Sequence, residues 1–301
     1  MIVDFFVVGA ARSGTTSIYN YLSQHPQVFL PNVKECNYFS DVESMDQEVY
    51  IDPELGKQYH MKIINSNTVY ESLFKNAESE KLKGEVSPSY LWDRSSAKKI
   101  SEHNKNAKII ISLRNPIYRA YSHYLMHYNT GYEKEKSFED AIKAEKISIW
   151  GGGNLYLEMG LYYEQVKRYF EFFDPKNIKI LIYEEWVKDI DEYINQIYNF
   201  LDLDEFHDFD LNKKHNKTIA IKNRKVINFF RQNGIKKALN KVLSDDVKDK
   251  IKINFFSKEG NLETLNEQTV KNLKKYFIAD VEKLEKLIQI PLLNKWQLRD
   301  D

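Results

Sequence analysis

The stretch IVDFFVVGAARSGTT, residues 2–16, contains the strongest fold signal in the sequence. Its first half, through Val8, is rich in β-branched and aromatic residues, which is typical of a buried strand in a parallel sheet. Gly9 ends this run, and apolar residues then repeat at helical spacing over Thr15–His25, before Pro26. The chain therefore opens with a predicted strand, a glycine-containing turn and a helix.

The same order of elements recurs farther along the chain. A second strand is predicted at Lys108–Leu113, and Pro116 follows where the first turn of a helix tolerates proline. Strands that alternate with helices predict an α/β fold with a parallel sheet. We expect a single domain over residues 1–301. Further strands are predicted at 83–86 and 178–183, and further helices at 162–173 and 270–288.

The composition argues against several classes of protein. The chain has 301 residues, 44 Lys or Arg against 44 Asp or Glu, and one cysteine, Cys36. One cysteine cannot form an intrachain disulfide, so we predict a reducing compartment, the cytoplasm. Net neutrality argues against bulk electrostatic binding of nucleic acid. No stretch approaches the roughly 20 apolar residues of a membrane span, so neither nucleic acid nor a membrane is an expected partner.

The loop GAARSGTT, residues 9–16, has the glycine spacing of a phosphate loop; we call it the phosphate loop below. Between a strand and a helix, its N–H groups and the helix dipole favour an anion. An NTPase needs Lys directly after the second glycine, where this chain has Thr15, and the basic residue is Arg12 instead. NTP cleavage also uses Mg²⁺ and an acidic strand end, whereas the strand at 108–113 is followed by Arg114. A donor with less charge at the transferred group is therefore favoured, and no metal is expected.

A second motif, LRNPIYRAYSHY, covers residues 113–124. It places Arg114 at a strand end and Ser122 eight residues later in the next helix. A guanidinium fork and a hydroxyl at such a junction suit a phosphate monoester. Taken alone, Arg114 and Arg119 are equally well explained as surface ion-pair residues.

With these two motifs the chain resembles the sulfotransferases that depend on 3′-phosphoadenosine 5′-phosphosulfate (PAPS), of the heparan-sulfate and bacterial small-molecule type. The resemblance spans residues 4–203 and, loosely, the C-terminal helix ending at Trp296. It implies a P-loop-like fold of three layers, with a central parallel sheet flanked by helices. Further similar segments are KECNYF at 34–39, GEVSPSY at 84–90 and GLYY at 160–163.

The resemblance also implies how the donor is held. Arg114 and Ser122 would bind the 3′ phosphate. Arg12, where many relatives carry Lys, would stabilise charge on the phosphate leaving group, the kind of preorganised stabilisation that dominates many active sites. The 5′ end would be bound by Arg12, Ser13, Gly14, Thr15, Thr16 and Ser17.

The acceptor must lose a proton as it attacks, which calls for a general base within hydrogen-bond reach. Glu35 matches the glutamate taken as base in the family's 3-O-sulfating enzymes, and Glu85 matches that of the N-sulfating enzymes. We favour Glu35 and keep Glu85 as a candidate. Without the motifs around them, each would more often be a solvated or ion-paired surface glutamate. The family's Glu-Lys-Ser/Thr run is Glu85-Val86-Ser87 here. Either Lys34 supplies the missing positive contact, or the acceptor is less anionic.

The acceptor itself is open: a hydroxyl, less favourably an amine, of a carbohydrate or small natural product. Several aromatic residues indicate either an aromatic cleft or ordinary core packing. The stretch 213–241 has ten Lys or Arg and no Asp or Glu, which indicates a solvated helix face or a contact near Arg224 with an anion. Alternative functions are a phosphate-loop kinase or NTPase, and a non-catalytic binder of sulfated or phosphorylated polymers. The aromatic residues are Tyr38, Phe39, Tyr90, Trp92 and Trp150.

Two histidines, His123 and His127, are spaced four apart on one predicted helix. No acidic or third ligand accompanies them in the sequence, so we do not expect a metal site there.

Overall fold

The centre of the fold is a five-stranded sheet. The computed structural model describes residues 1–41, 64, 66–78, 81–130, 132–147, 153–186, 188–206, 220–221, 257–258 and 265–299. The strands are β1 Phe5–Gly9, β2 Val28–Phe29, β3 Leu82–Val86, β4 Lys108–Leu113 and β5 Ile178–Ile182. They pair in the order β2-β3-β1-β4-β5, and every pair is parallel. The α/β, three-layer prediction is confirmed.

Helices cover both faces of this sheet. Successive residues of β1 point to opposite faces: Phe6 and Val8 join one buried cluster, while Phe5 and Val7 join the other. Because both faces are covered, β1 is buried along its whole length. The helices are α1 Thr15–Leu22, α2 Asn67–Ser72, α3 Ser89–Trp92, α4 Ser96–His103, α5 Pro116–Thr130, α6 Phe138–Ala141, α7 Tyr162–Phe172, α8 Tyr183–Trp186, α9 Ile190–Leu201, α10 Glu267–Ile288 and α11 Leu292–Lys295.

One strand pairing requires a glycine. Gly84 of β3 lies opposite Phe5 of β1. A Cβ atom at position 84 would lie 2.0 Å from the Phe5 ring. The register that brings the ends of β1 and β3 together therefore depends on the missing side chain at this position.

The first strand starts later than its sequence pattern suggests. The apolar run begins at Ile2, but β1 begins at Phe5. The backbone of Val3 is bonded to side chains instead: its N–H donates to His103 Nε2, and its carbonyl accepts from Asn104 Nδ2. Competition from these side chains ends the ladder.

The predicted apolar stripe of helix α10 is confirmed, and the helix packs against α7. Leu273, Phe277, Val281 and Leu284 are all buried. Outside the main sheet, Ala220–Ile221 and Ser257–Lys258 form an antiparallel pair. Within the described ranges, no helix has the length and apolar character needed to cross a membrane.

Candidate functional site

The site forms at the carboxyl edge of the sheet, because parallel strands bring their ends to the same side. The loops after β1, β3 and β4 meet there. Ala10 N–H donates to the carbonyl of Ser112 in β4 at 2.7 Å, and Ser112 Oγ donates to the carbonyl of Ser13 at 2.6 Å. The phosphate loop is therefore fixed to the neighbouring strand on both sides of Arg12.

The phosphate loop leads into α1 through Gly14, whose φ of 87° is in the left-handed region. Helix α1 has no side-chain cap at its N-terminus and no acidic residue in its first turn. The first N–H groups of a helix have no partner inside it, so the helix dipole and these donors together favour an anion. Thr15 is buried, whereas Thr16 and Ser17 are partly exposed in this first turn.

The two predicted anion-binding motifs meet at Arg12, whose φ is 68°. Arg12 Nε donates to Ser122 Oγ at 3.2 Å, and Nη1 contacts Met126 Sδ at 3.4 Å. The Arg12 carbonyl accepts from Arg114 Nη1 at 3.2 Å. The family resemblance implied that Arg12 binds one end of the donor and Ser122 the other. The structure brings these two side chains into direct contact.

Arg114 is held between two tyrosines. Its guanidinium lies 4.7 Å from the Tyr183 ring centroid, a cation–π contact. Its carbonyl accepts from the Tyr162 hydroxyl at 3.0 Å. Burial raises the pKa of Tyr162 to about 12, so this phenol remains a donor at neutral pH. Tyr162 belongs to the GLYY segment, which the sequence flagged without assigning it a role.

A three-residue clamp fixes the turn after Arg114. Asn115 N–H donates to Glu184 Oε1 at 2.9 Å, and Asn115 Nδ2 donates to the Trp296 carbonyl at 3.0 Å. Trp296 Nε1 donates to Glu184 Oε2 at 3.0 Å. These contacts tie the end of β4 to α8 and to the end of α11. Sequence reasoning missed Glu184 because its partners lie far away in the chain.

Arg119 lies inside the protein, so its interpretation as a surface ion-pair residue is wrong. It is 0% exposed, and its Nη2 donates to the Tyr156 carbonyl. Its Nε and Nη1 atoms have no hydrogen-bond partner among the described residues. Burial lowers the pKa of Arg119 to about 10, and the like charges of Arg114 and Arg12 contribute to this shift. Three guanidinium groups thus share one end of the sheet.

The two glutamate candidates occupy different surroundings beside β3. Glu35 N–H donates to the carbonyl of Val86, the last residue of β3, at 3.1 Å. The Glu35 carboxylate pairs with Lys34, and its side chain is 26% exposed. Glu85, by contrast, is 1% exposed and its carboxylate is hydrogen-bonded inside the core.

The aromatic residues near this edge differ in burial, and an aromatic cleft stays a prediction. Phe39 and Tyr90 are buried in the main apolar cluster, while Tyr38 and Trp92 are partly buried. Trp150 and most of the basic stretch 213–241 lie outside the described residues.

The histidine pair is part of a buried aromatic group. The His123 and His127 rings lie 4.4 Å apart, and His127 Nδ1 is 3.3 Å from the Tyr156 hydroxyl. Tyr156 donates to Glu133 at 2.7 Å. Over the part of the chain that the structure describes, no group of three or more metal-ligating side chains is found.

A phosphate loop that carries Arg12 in place of a lysine, beside Arg114 at the carboxyl edge of a parallel sheet, is typical of the P-loop-like class of folds. Residues 4–208 match the sequence profile described as the sulfotransferase family, and the chain belongs to that family.

Particular relatives agree with this assignment. A crystal structure of a sulfotransferase from Alicyclobacillus acidocaldarius is 25% identical and superposes with a TM-score of 0.71 over 99% of each chain. The membrane-associated sulfotransferase kil1 of Dictyostelium discoideum is 33% identical over 47% of this chain and 28% of its own length. Human carbohydrate sulfotransferase 15 is 20% identical over 66% of this chain and 43% of its own length. The chain thus spans less than half the length of these two curated relatives.

Proposed function

We propose that the protein transfers a sulfuryl group from PAPS to a hydroxyl of a carbohydrate or a small molecule, an amine being the less favoured acceptor. The observation that carries this proposal is the convergence of two arginine-bearing loops on an uncapped helix N-terminus. A donor with an anionic group at each end needs two such positive positions close together.

The residues at this edge fit the two ends of the donor. The N–H groups of Gly14, Thr15 and Thr16 would bind the 5′ phosphosulfate, with the hydroxyls of Ser13 and Ser17 nearby, since the Ser17 N–H already donates to the Gly14 carbonyl. Arg114 and Ser122 would bind the 3′ phosphate, and Arg12, which contacts Ser122, would stabilise charge between the two ends. PAPS supplies the sulfuryl group, and the protein supplies binding and orientation. The binding roles of these residues stay predictions that calorimetry can test.

Glu35 is the proposed general base. Its carboxylate is partly exposed, and its backbone is fixed to the end of β3, beside the phosphate loop. Lys34 pairs with it and offers the positive contact that Val86 cannot make. A base must reach the acceptor proton, and the exposure of Glu35 supports this role better than the burial of Glu85 does.

A carbohydrate acceptor is supported by the names of several relatives. One is a carbohydrate sulfotransferase, and another, from Caenorhabditis briggsae, is a bifunctional heparan sulfate N-deacetylase/N-sulfotransferase that is 24% identical over 67% of this chain. Screening a panel of sugars, phenols and amines with radiolabelled PAPS would identify the acceptor class. A cytoplasmic location stays a prediction from cysteine usage.

The donor assignment is tested by calorimetry with adenosine 3′,5′-bisphosphate, the product left after transfer. Arg114→Ala should weaken its binding about 10- to 100-fold, because hydrogen bonds to charged groups contribute about 1.5–3 kcal/mol. Arg94→Ala is the matched control, since Arg94 is exposed outside the site. If the wild type binds ATP with Mg²⁺ better than the bisphosphate, the proposal is wrong and a kinase or NTPase is favoured. Undiminished affinity of Arg114→Ala would reject the role of Arg114 alone.

A further inference from the structure

Glu85 carries a carboxylate that is closed off inside the protein. It is 1% exposed, at the end of β3. Its Oε1 accepts from Cys36 Sγ at 2.9 Å, from Ser87 Oγ at 2.8 Å and from the Tyr90 hydroxyl at 2.5 Å. Its Oε2 accepts from the Tyr70 hydroxyl at 2.5 Å. We call Glu85 and these four donors the carboxylate cage.

The donors of the cage stay protonated at neutral pH. Burial raises the pKa of Tyr70, Tyr90 and Cys36, and the neighbouring charge of Glu85 raises each of them further. Their hydrogens therefore stay on the phenol oxygens and the thiol sulfur and are donated to the carboxylate oxygens of Glu85, and such charge-assisted hydrogen bonds are about twice as strong as neutral ones. In this arrangement Glu85 has no exposed face toward an acceptor hydroxyl.

The cage is connected to Glu35 through the backbone around Cys36. Glu35 and Asn37, on either side of Cys36, have φ values of 61° and 55°. A left-handed conformation is uncommon and unfavourable for residues other than glycine. Such a conformation persists when surrounding contacts enforce it, and here Asn37 N–H also donates to Ser87 Oγ of the cage at 3.4 Å.

The left-handed conformations of Glu35 and Asn37 determine the direction of the side chains in this turn. The Cys36 thiol points inward to Glu85 and is 0% exposed, whereas the preceding pair, Lys34 and Glu35, stays partly exposed. The hydrogen bond from the Cys36 thiol to Glu85 is one of the contacts that hold this turn, beside those from Glu35 N–H to the Val86 carbonyl and from Ser89 Oγ to Asn37 Oδ1. It ties the residue between the two left-handed positions to a buried group, so the placement of the Lys34–Glu35 pair depends in part on Glu85.

We propose that Glu85 is a positioning residue, which fixes the Lys34–Glu35 pair at the site by holding Cys36 in the carboxylate cage. This inference rests on the proposed function for the role of Glu35. The structural claim that the carboxylate cage holds Cys36 and its turn does not rest on that function, because it follows from the contacts within the fold.

The single cysteine provides a direct reporter of the cage. Cys36 is the only cysteine in the sequence, and 5,5′-dithiobis(2-nitrobenzoic acid) reacts with the thiolate. The rate constant of the thiolate itself, obtained from the pH dependence of labelling of the folded protein, therefore measures the exposure of Cys36 apart from changes in its pKa. Glu85→Gln keeps the shape but removes the charge, and we expect labelling about tenfold faster, as for a loss of about 1.4 kcal/mol. Tyr70→Phe removes one donor and should also accelerate labelling. Glu78→Gln, at a side chain 61% exposed, is the matched control and should label at the wild-type rate.

A pH profile separates positioning from catalysis. With the panel acceptor that yields most labelled product, Glu35→Gln should remove the acid limb of the kcat/KM profile. Glu85→Gln should lower kcat and keep that limb. Wild-type labelling rates in both Glu85→Gln and Tyr70→Phe would overturn the proposal, as would loss of the acid limb in Glu85→Gln alone. Where Glu85→Gln does not fold, Tyr70→Phe decides. If the wild type fails to bind adenosine 3′,5′-bisphosphate, the proposed function fails, while the labelling result still judges the cage.

Discussion

Asn115 offers a quantitative test of how the Arg114 turn is held. It is 4% exposed and makes two side-chain hydrogen bonds. Its Oδ1 accepts from Ile117 N–H at 3.0 Å and caps α5, and its Nδ2 donates to the Trp296 carbonyl at 3.0 Å. Losing a cap costs about 1 kcal/mol, and losing a hydrogen bond between neutral groups costs about 1 kcal/mol. Asn115→Ala should therefore destabilise the protein by about 2 kcal/mol, or lower Tm by roughly 4 °C.

Two assays and one further variant make this prediction specific. Asn115→Ser keeps a capping oxygen but cannot reach Trp296, so it should lose about half as much, about 1 kcal/mol, in urea unfolding. Calorimetry with adenosine 3′,5′-bisphosphate should show weaker binding for Asn115→Ala, because Arg114 directly precedes it. A wild-type unfolding midpoint for Asn115→Ala would refute the reasoning. Equal losses for the Ala and Ser variants would assign the whole effect to the Trp296 contact.

Two further predictions concern the phosphate loop and the buried phenols. Ser112→Ala removes the bond to the Ser13 carbonyl, and calorimetry should show about fivefold weaker binding of the bisphosphate, equivalent to about 1 kcal/mol; unchanged binding would mean that the loop does not depend on this bond. Burial raises the pKa of Tyr162 to about 12 in the folded protein, against about 10 in the unfolded chain. The neutral phenol therefore contributes its full stabilisation below about pH 10, and this contribution is lost as the pH rises through about 12. Phenolate absorbance should therefore show a late-titrating fraction of the 20 tyrosines, and Tyr162→Phe should reduce the alkaline loss of stability. Ionisation of every tyrosine near pH 10 in the folded protein would contradict this.

The main units of the fold were predictable because their signals are local. β1 with α1, and β4 with α5, each follow from a buried apolar run, a punctuating Gly or Pro, and helical spacing after it. The C-terminal stripe of α10 followed from the same periodicity. β2 was missed because two residues, Val28–Phe29, are too few to show a period.

The site was predictable as far as its motifs are contiguous. Arg12, Arg114 and Ser122 stand in two short segments, and their proximity follows from parallel strands ending at one edge. The carboxylate cage was not predictable, because its members are separated by up to 54 positions and the sequence singled out Glu85 only as a candidate base. Arg119 was misjudged for a related reason: charge predicts exposure unless the tertiary structure shows otherwise.

The clamp of Asn115, Glu184 and Trp296 cannot form until late in the synthesis of the chain. All five strands of the main sheet have been made once β5 is synthesised, and the phosphate loop can already dock on β4. The turn that carries Arg114 still lacks its third anchor until Trp296 has left the ribosome. A nascent chain can thus form its main sheet before the Arg114 turn is fully held. On the proposed function, binding of adenosine 3′,5′-bisphosphate by growing chains would report the arrival of α11 and Trp296.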